Sequence, residues 1–258
     1  MKNNAKVIII TNSKGGVGKS TIADALSDGL SLRSHKTLLI DLDAQGSLST
    51  TANRNKPGAY EVMTKQVGIM TAVQKRYNRA DLLPATKLIS KLNVELVDTG
   101  KEYRLREVMS PALPYYDYIV IDTPPALGIL TINALTASHF LIIPAQADIF
   151  SLQGIGQLME SVDAVKAYTN PNIELKGLLL TRHNARSVLT RDMSEIAQQT
   201  ADKIKTFLYK TVIREAVAIK EAQANRESIY TYAPTSNPAK DYTSFTAEFI
   251  ESEDKGNA

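Results

Sequence analysis

Residues 6–30, KVIIITNSKGGVGKSTIADALSDGL, pass from a β-branched apolar segment through a glycine-rich turn into an amphipathic helix, and this leaves few folds open to the chain. Val7, Ile8, Ile9 and Ile10 show no polar alternation, the pattern of a parallel strand buried on both faces. Gly15, Gly16 and Gly18 admit backbone conformations closed to other residues, so successive N–H groups can converge on phosphate oxygens. The helix expected to begin near Lys19 adds the positive end of its dipole. Lys19 supplies a point charge for β- and γ-phosphates, and the Ser20 hydroxyl is placed for Mg²⁺. Gly15, Gly16, Val17, Gly18, Lys19, Ser20 and Thr21 are therefore the expected nucleotide contacts.

Apolar runs recur between helical stretches at Val7–Thr11, Thr37–Asp41, Val94–Val97, Tyr118–Ile121, Phe140–Pro144 and Leu175–Thr181. Such alternation predicts an α/β fold, a mostly parallel twisted sheet with helices on both faces and its ligand site at the carboxyl ends of the strands. A chain of 258 residues is most simply one such domain, expected over residues 1–250, with a polar tail at 251–258. The stretch from Asn53 to Lys91, punctuated by Pro57, Gly58 and Pro84, is expected to be helical and carries no recognisable chemistry. The absence of cysteine excludes disulfides, thiolate zinc sites and cysteine-held iron–sulfur clusters. MKNNAKV leads straight into the first strand, so no signal peptide is expected, and no apolar run reaches the ~18 residues of a membrane span. The expected location is the cytoplasm.

Two further strand ends carry carboxylates. In LLIDLDAQGS, Asp41 and Asp43 are separated by one residue, and strand alternation directs both to the same side. In YDYIVIDTPPALG, four apolar residues end in Asp122, the arrangement of a Walker B carboxylate that holds Mg²⁺ directly or through water. Thr123, Pro124 and Pro125 then enforce a sharp turn. Asp122 and Ser20 are expected at the metal.

The generic pattern G-x-x-x-x-G-K-[ST] fails by one residue, because its first glycine falls on Ser13. KGGVGKS, with an extra lysine ahead of the glycines, resembles the deviant Walker A loop of the ParA/MinD ATPases. TINALTA and the I-P-x-Q element near residue 146, followed by Phe150, Leu152 and Gly154, are similar to the ParA type, the small form without an N-terminal helix-turn-helix. The resemblance implies that Lys14 reaches the phosphates of a neighbouring subunit, so that ATP closes a homodimer. It implies that Asp43 orients or deprotonates the attacking water, that Asp41 supports the Mg²⁺ shell, and that the Thr123–Pro125 turn senses the γ-phosphate. The family's proline after the second aspartate is Ala44 here.

By the same resemblance, Arg186 in LLLTRHNARSVLTRD contributes to non-specific DNA binding, with Arg182, Arg191 and Lys220 as further candidates. The family's Thr-Asn after the arginine is Ser187-Val188, and its Ile-Pro near the adenine side is Ile213-Arg214. What the resemblance implies as a whole is a slow ATPase with ATP and Mg²⁺ as cofactors, stimulated by a ParB-like partner and associated with the nucleoid. Since the first strand begins near Met1, specific operator binding through an N-terminal extension is not expected. The runner-up is a MinD-like membrane-positioning ATPase, which needs a basic amphipathic C-terminal helix. TSFTAEFIESEDKGNA offers Phe245 and Phe249 but is acidic. A third reading is a dethiobiotin-synthetase-like ligase on the same fold.

Overall fold

The structure, a computed structural model, describes residues 5–146, 148–182 and 189–254. The chain runs β1 (Lys6–Ile10), α1 (Lys19–Ser31), β2 (Thr37–Asp41), α2 (Ala59–Met63), α3 (Ile69–Ala72), β3 (Asp81–Leu83), α4 (Leu92–Glu95) and α5 (Arg104–Met109). It continues through β4 (Tyr118–Asp122), α6 (Ile129–Ala137), β5 (Phe140–Gln146), α7 (Ile149–Tyr168), β6 (Glu174–Thr181), α8 (Leu189–Lys203), α9 (Val217–Asn225), α10 (Ile229–Tyr232) and α11 (Asn237–Asp254).

The strands form a six-stranded sheet in the order β3-β2-β4-β1-β5-β6. Every pairing among them is parallel. Parallel strands need crossovers, and the helices of those crossovers cover both faces, which is why the strands read as unbroken apolar runs. Side-chain alternation splits each run between two cores. Val7, Ile9, Leu38, Ile40, Ile119 and Ile121 pack on the side of α5 to α8. Ile8, Ile10, Leu39 and Val120 pack on the side of α1, α9 and α11. In the register, Asp122 lies opposite Ile10 on one side and Asp41 on the other. One row across the carboxyl end of the sheet thus joins the root of the glycine loop to both strand-end carboxylates.

Three expectations are corrected. Val94–Val97 is no strand: Leu92 and Leu96, at helical spacing, are buried around the short α4, while Val94 and Val97 stand 78% and 75% exposed. The third strand is instead Asp81–Leu83, inside the stretch expected to be helical, and at three residues on the sheet's edge it is too short to leave a periodic signal. Residues 251–254, expected in a polar tail, belong instead to α11, which runs to Asp254. Glu253 is buried there, accepting a hydrogen bond from the Tyr118 hydroxyl at 2.7 Å and pairing with Lys6 at 3.3 Å.

The same helix removes the support for a membrane-binding C-terminus. Phe245 and Phe249 are fully buried. Phe245 meets the Tyr209 ring edge-on at 5.0 Å, and Phe249 meets Tyr118 and Phe140 at 6.2 and 6.4 Å. No helix among the described residues is long and apolar enough to cross a membrane. His139, given no role from the sequence, accepts the Val7 N–H on Nδ1 at 2.9 Å and so caps a neighbouring strand.

Candidate functional site

The glycine loop connects β1 to α1. Gly16 and Gly18 have φ of 76° and 94°, values that a side chain would strain. Gly18 is the N-cap of α1 and brings no side chain to its first N–H groups, and the first turn holds no acidic residue. A helix start left open in this way is suited to an anion. Lys19 is buried, with its ammonium donating to the Lys14 carbonyl at 3.0 Å. Burial holds the Lys19 pKa below the usual lysine range, against the raising influence of Asp122 and Asp43.

The carboxylates differ sharply in their surroundings. Asp41 is fully buried, and both its oxygens are engaged: Oδ2 accepts from the Ser49 hydroxyl at 2.6 Å and Oδ1 from the Asp43 N–H at 3.0 Å. Ser49 Oγ in turn accepts the Ala85 N–H at 2.8 Å, so Asp41 holds the loop after β2 against the end of β3. Burial pushes its carboxyl up to about 6. Asp43 is half-buried, accepts the Gln45 N–H at 2.9 Å in an Asx turn, and faces Lys19 closely enough to act on its charge.

Asp122 is fully buried, and neither carboxylate oxygen receives a well-formed hydrogen bond. Burial, reinforced by the neighbouring Asp41, raises its carboxyl well above the ordinary range, while Ser20 and Lys19 pull in the opposite direction. A buried, unsatisfied carboxylate is costly, and a cation is the group that relieves it. Asp122 and the Ser20 hydroxyl beside it are oxygen donors that fit Mg²⁺, which binds proteins through few side chains and fills its octahedron with phosphate oxygens and water. Of the expected metal residues, Asp122 lies beside Ser20, whereas Asp41 is placed to steady the loop that carries Asp43.

Several contacts that build the site carried no signal in the sequence. Thr181 Oγ1 donates to the Val17 carbonyl at 2.8 Å and braces the loop from the end of β6. Thr123 Oγ1 bonds Thr11 Oγ1 at 2.8 Å and ties the turn after β4 to the root of the loop. Gln223 donates to Thr21 Oγ1 at 2.9 Å. Gln223 also borders a cavity of about 80 Å³ lined by Gly18, Thr21, Arg182, Ile213, Ile219 and Lys220. That cavity opens beside the glycine loop. It brings two of the DNA candidates, Arg182 and Lys220, to the nucleotide side. Lys220 pairs there with Glu215 at 3.4 Å. Arg186 lies outside the described residues, and Arg191 is in α8 without a described side chain.

Lys14 is turned onto its own chain. Its ammonium contacts both oxygens of Asp148 at 2.7 and 2.8 Å, across 134 residues of sequence.

A family model described as an AAA domain matches residues 5–175. The chain is similar to the sporulation initiation inhibitor protein Soj of Bacillus subtilis (strain 168), 35% identical over 94% of this chain and 97% of that one. It is 32% identical to the chromosome partitioning protein ParA of Myxococcus xanthus, over 95% of this chain and 88% of the relative. Among solved structures it resembles the cobyrinic acid a,c-diamide synthase of Mycobacterium smegmatis with bound ATP analog and magnesium, at 27% identity and TM-score 0.84, covering 98% of this chain and 97% of that one. With relatives aligned along nearly its whole length and the loop, the two strand-end motifs and the all-parallel sheet in place, the chain belongs to the ParA type of the ParA/MinD P-loop ATPases.

Proposed function

We propose that the protein is a DNA-partition ATPase that uses Mg·ATP to close a homodimer, binds DNA without sequence preference while closed, and is released by hydrolysis that a ParB-like partner accelerates. The observation that carries the nucleotide part is Asp122, a fully buried carboxylate with no well-formed hydrogen bond, beside Ser20 at the open start of α1. The partition part is supported by the relationship to a chromosome partitioning protein over 95% of the chain.

When bound, Mg²⁺ would neutralise charge between β- and γ-phosphates. Ser20 and Asp122 would hold it, and Gly15 to Thr21 would bind the phosphates through backbone N–H groups. Lys19 must exchange the Lys14 carbonyl for a phosphate oxygen, a move of its ammonium within the loop. Asp43, on the loop steadied by Asp41 and Ser49, orients the attacking water and takes its proton. Lys14 from each subunit completes the neighbouring site. The base takes the cavity bordered by Thr21 and Gln223. ATP acts as a switch because it binds the closed dimer better than the open monomer.

A small-molecule amide-forming enzyme is the second reading, on the strength of the M. smegmatis structure at TM-score 0.84. DNA co-sedimentation with ADP, ATP and AMPPNP at two salt concentrations separates the two. A partition ATPase is retained by DNA only with ATP or AMPPNP, its affinity falls steeply with salt at roughly 0.9 log units per phosphate contact per log unit of salt, and Arg186→Glu weakens it. Nucleotide-independent or absent DNA binding would remove the partition reading.

A further inference from the structure

The side of the glycine loop that carries Lys14 is fastened to the segment that ends β5 and begins α7. The Asn12 side chain donates to the Pro144 carbonyl at 2.7 Å and accepts the Lys14 N–H at 3.0 Å. Ser13 Oγ donates to the Gly154 carbonyl at 2.9 Å, and a Cβ at Gly154 would itself stand 2.9 Å from that hydroxyl, so a side chain there would displace it. Gln146 Nε2 donates to the Gly16 carbonyl at 3.1 Å. The Lys14 ammonium then closes this set by meeting both oxygens of Asp148, with the two side chains 30% and 35% exposed.

An ammonium has three donors on one point charge, and one whose charge is already met by both oxygens of a carboxylate has less to gain from a phosphate on another molecule than one left unpaired. From this geometry we infer that Asp148 is a positioning residue for Lys14, which keeps the lysine at home in the monomer and sets how readily the ATP-bound dimer forms. The inference rests on the dimer reading above and adds its regulation. Assembly exchanges one Lys14–Asp148 pair per subunit for contacts across the interface. A partly exposed ion pair is worth roughly two- to five-fold in an equilibrium constant. Releasing two of them in advance should therefore strengthen dimerisation about 4- to 25-fold.

Two measurements on the full chain test this. Sedimentation velocity with Mg·AMPPNP should give Asp148→Asn a dimer constant stronger than wild type by about that factor, with Asp148→Glu returning it toward wild type. Independently, acylation of Lys14 by an N-hydroxysuccinimide ester in nucleotide-free protein, followed by peptide mass spectrometry, should be faster in Asp148→Asn. Unchanged acylation, or a dimer no stronger or weaker in Asp148→Asn while wild type dimerises, overturns the inference alone. A wild type that stays monomeric with Mg·AMPPNP overturns the dimer reading and the inference together.

Discussion

Replacing Asp41 with asparagine should make the nucleotide-free protein more stable while slowing turnover. The carboxyl is fully buried, and burial pushes it up to about 6, against hydrogen bonds from Ser49 and from the Asp43 and Leu48 backbone. An aspartate in an unfolded chain titrates near 3.9, so between about pH 4 and 6 the folded chain keeps a proton that the unfolded chain has lost. The stability carried by that proton is complete below about pH 4 and is lost as pH rises through about 6. About two pKa units at ~1.4 kcal/mol each put the loss at about 3 kcal/mol above pH 7. Asparagine escapes this cost and keeps an acceptor for the Asp43 N–H. Its amide nitrogen faces Ser49 Oγ, whose proton loses its acceptor at a cost of about 1 kcal/mol. The net gain is about 2 kcal/mol at pH 7.5 and shrinks toward zero at pH 5, where the wild-type carboxyl is mostly protonated. Urea unfolding of both proteins without nucleotide at the two pH values measures it. A variant less stable than wild type at pH 7.5, or one with the same difference at both pH values, would refute the reasoning. The exchange of stability for charge is what a site built around buried carboxylates entails.

Other consequences are simpler to read. Lys19→Ala should abolish Mg·ATP binding in a calorimetric titration; retained affinity would contradict the assignment of the loop. Asp43→Ala should bind ATP with near wild-type affinity but hydrolyse it at least about tenfold more slowly, as expected on loss of a general base; undiminished turnover would remove that role. Phe249→Ala empties a fully buried ring position and should cost about 3–5 kcal/mol in denaturant unfolding. A loss below about 1 kcal/mol in that variant would mean the ring is not packed as described.

The strand, loop and helix of residues 6–31 were legible because every signal there is local: unbroken β-branched residues, glycines at the positive-φ positions, and an uncapped helix start. Asp41 and Asp122 were legible as strand ends for the same reason. Val94 and Val97 misled because β-branched composition was read without the buried Leu92–Leu96 pair, whose spacing is helical. Asp81–Leu83 escaped because three residues define no period. What the sequence could not display are the polar contacts made between distant segments. Thr181 reaches Val17 over 164 residues, Gln223 reaches Thr21 over 202, and Asp148 reaches Lys14 over 134. Thr, Gln and Asp are common surface residues, and nothing in their immediate neighbours marks them as parts of a site.

Sedimentation of the Asp43→Ala protein saturated with Mg·ATP puts the central claim to its most direct trial, because nucleotide is held without being consumed. A species of twice the chain mass of 28.3 kDa should form with ATP and dissociate with ADP. A protein that binds the nucleotide and stays at one chain mass throughout would contradict the account.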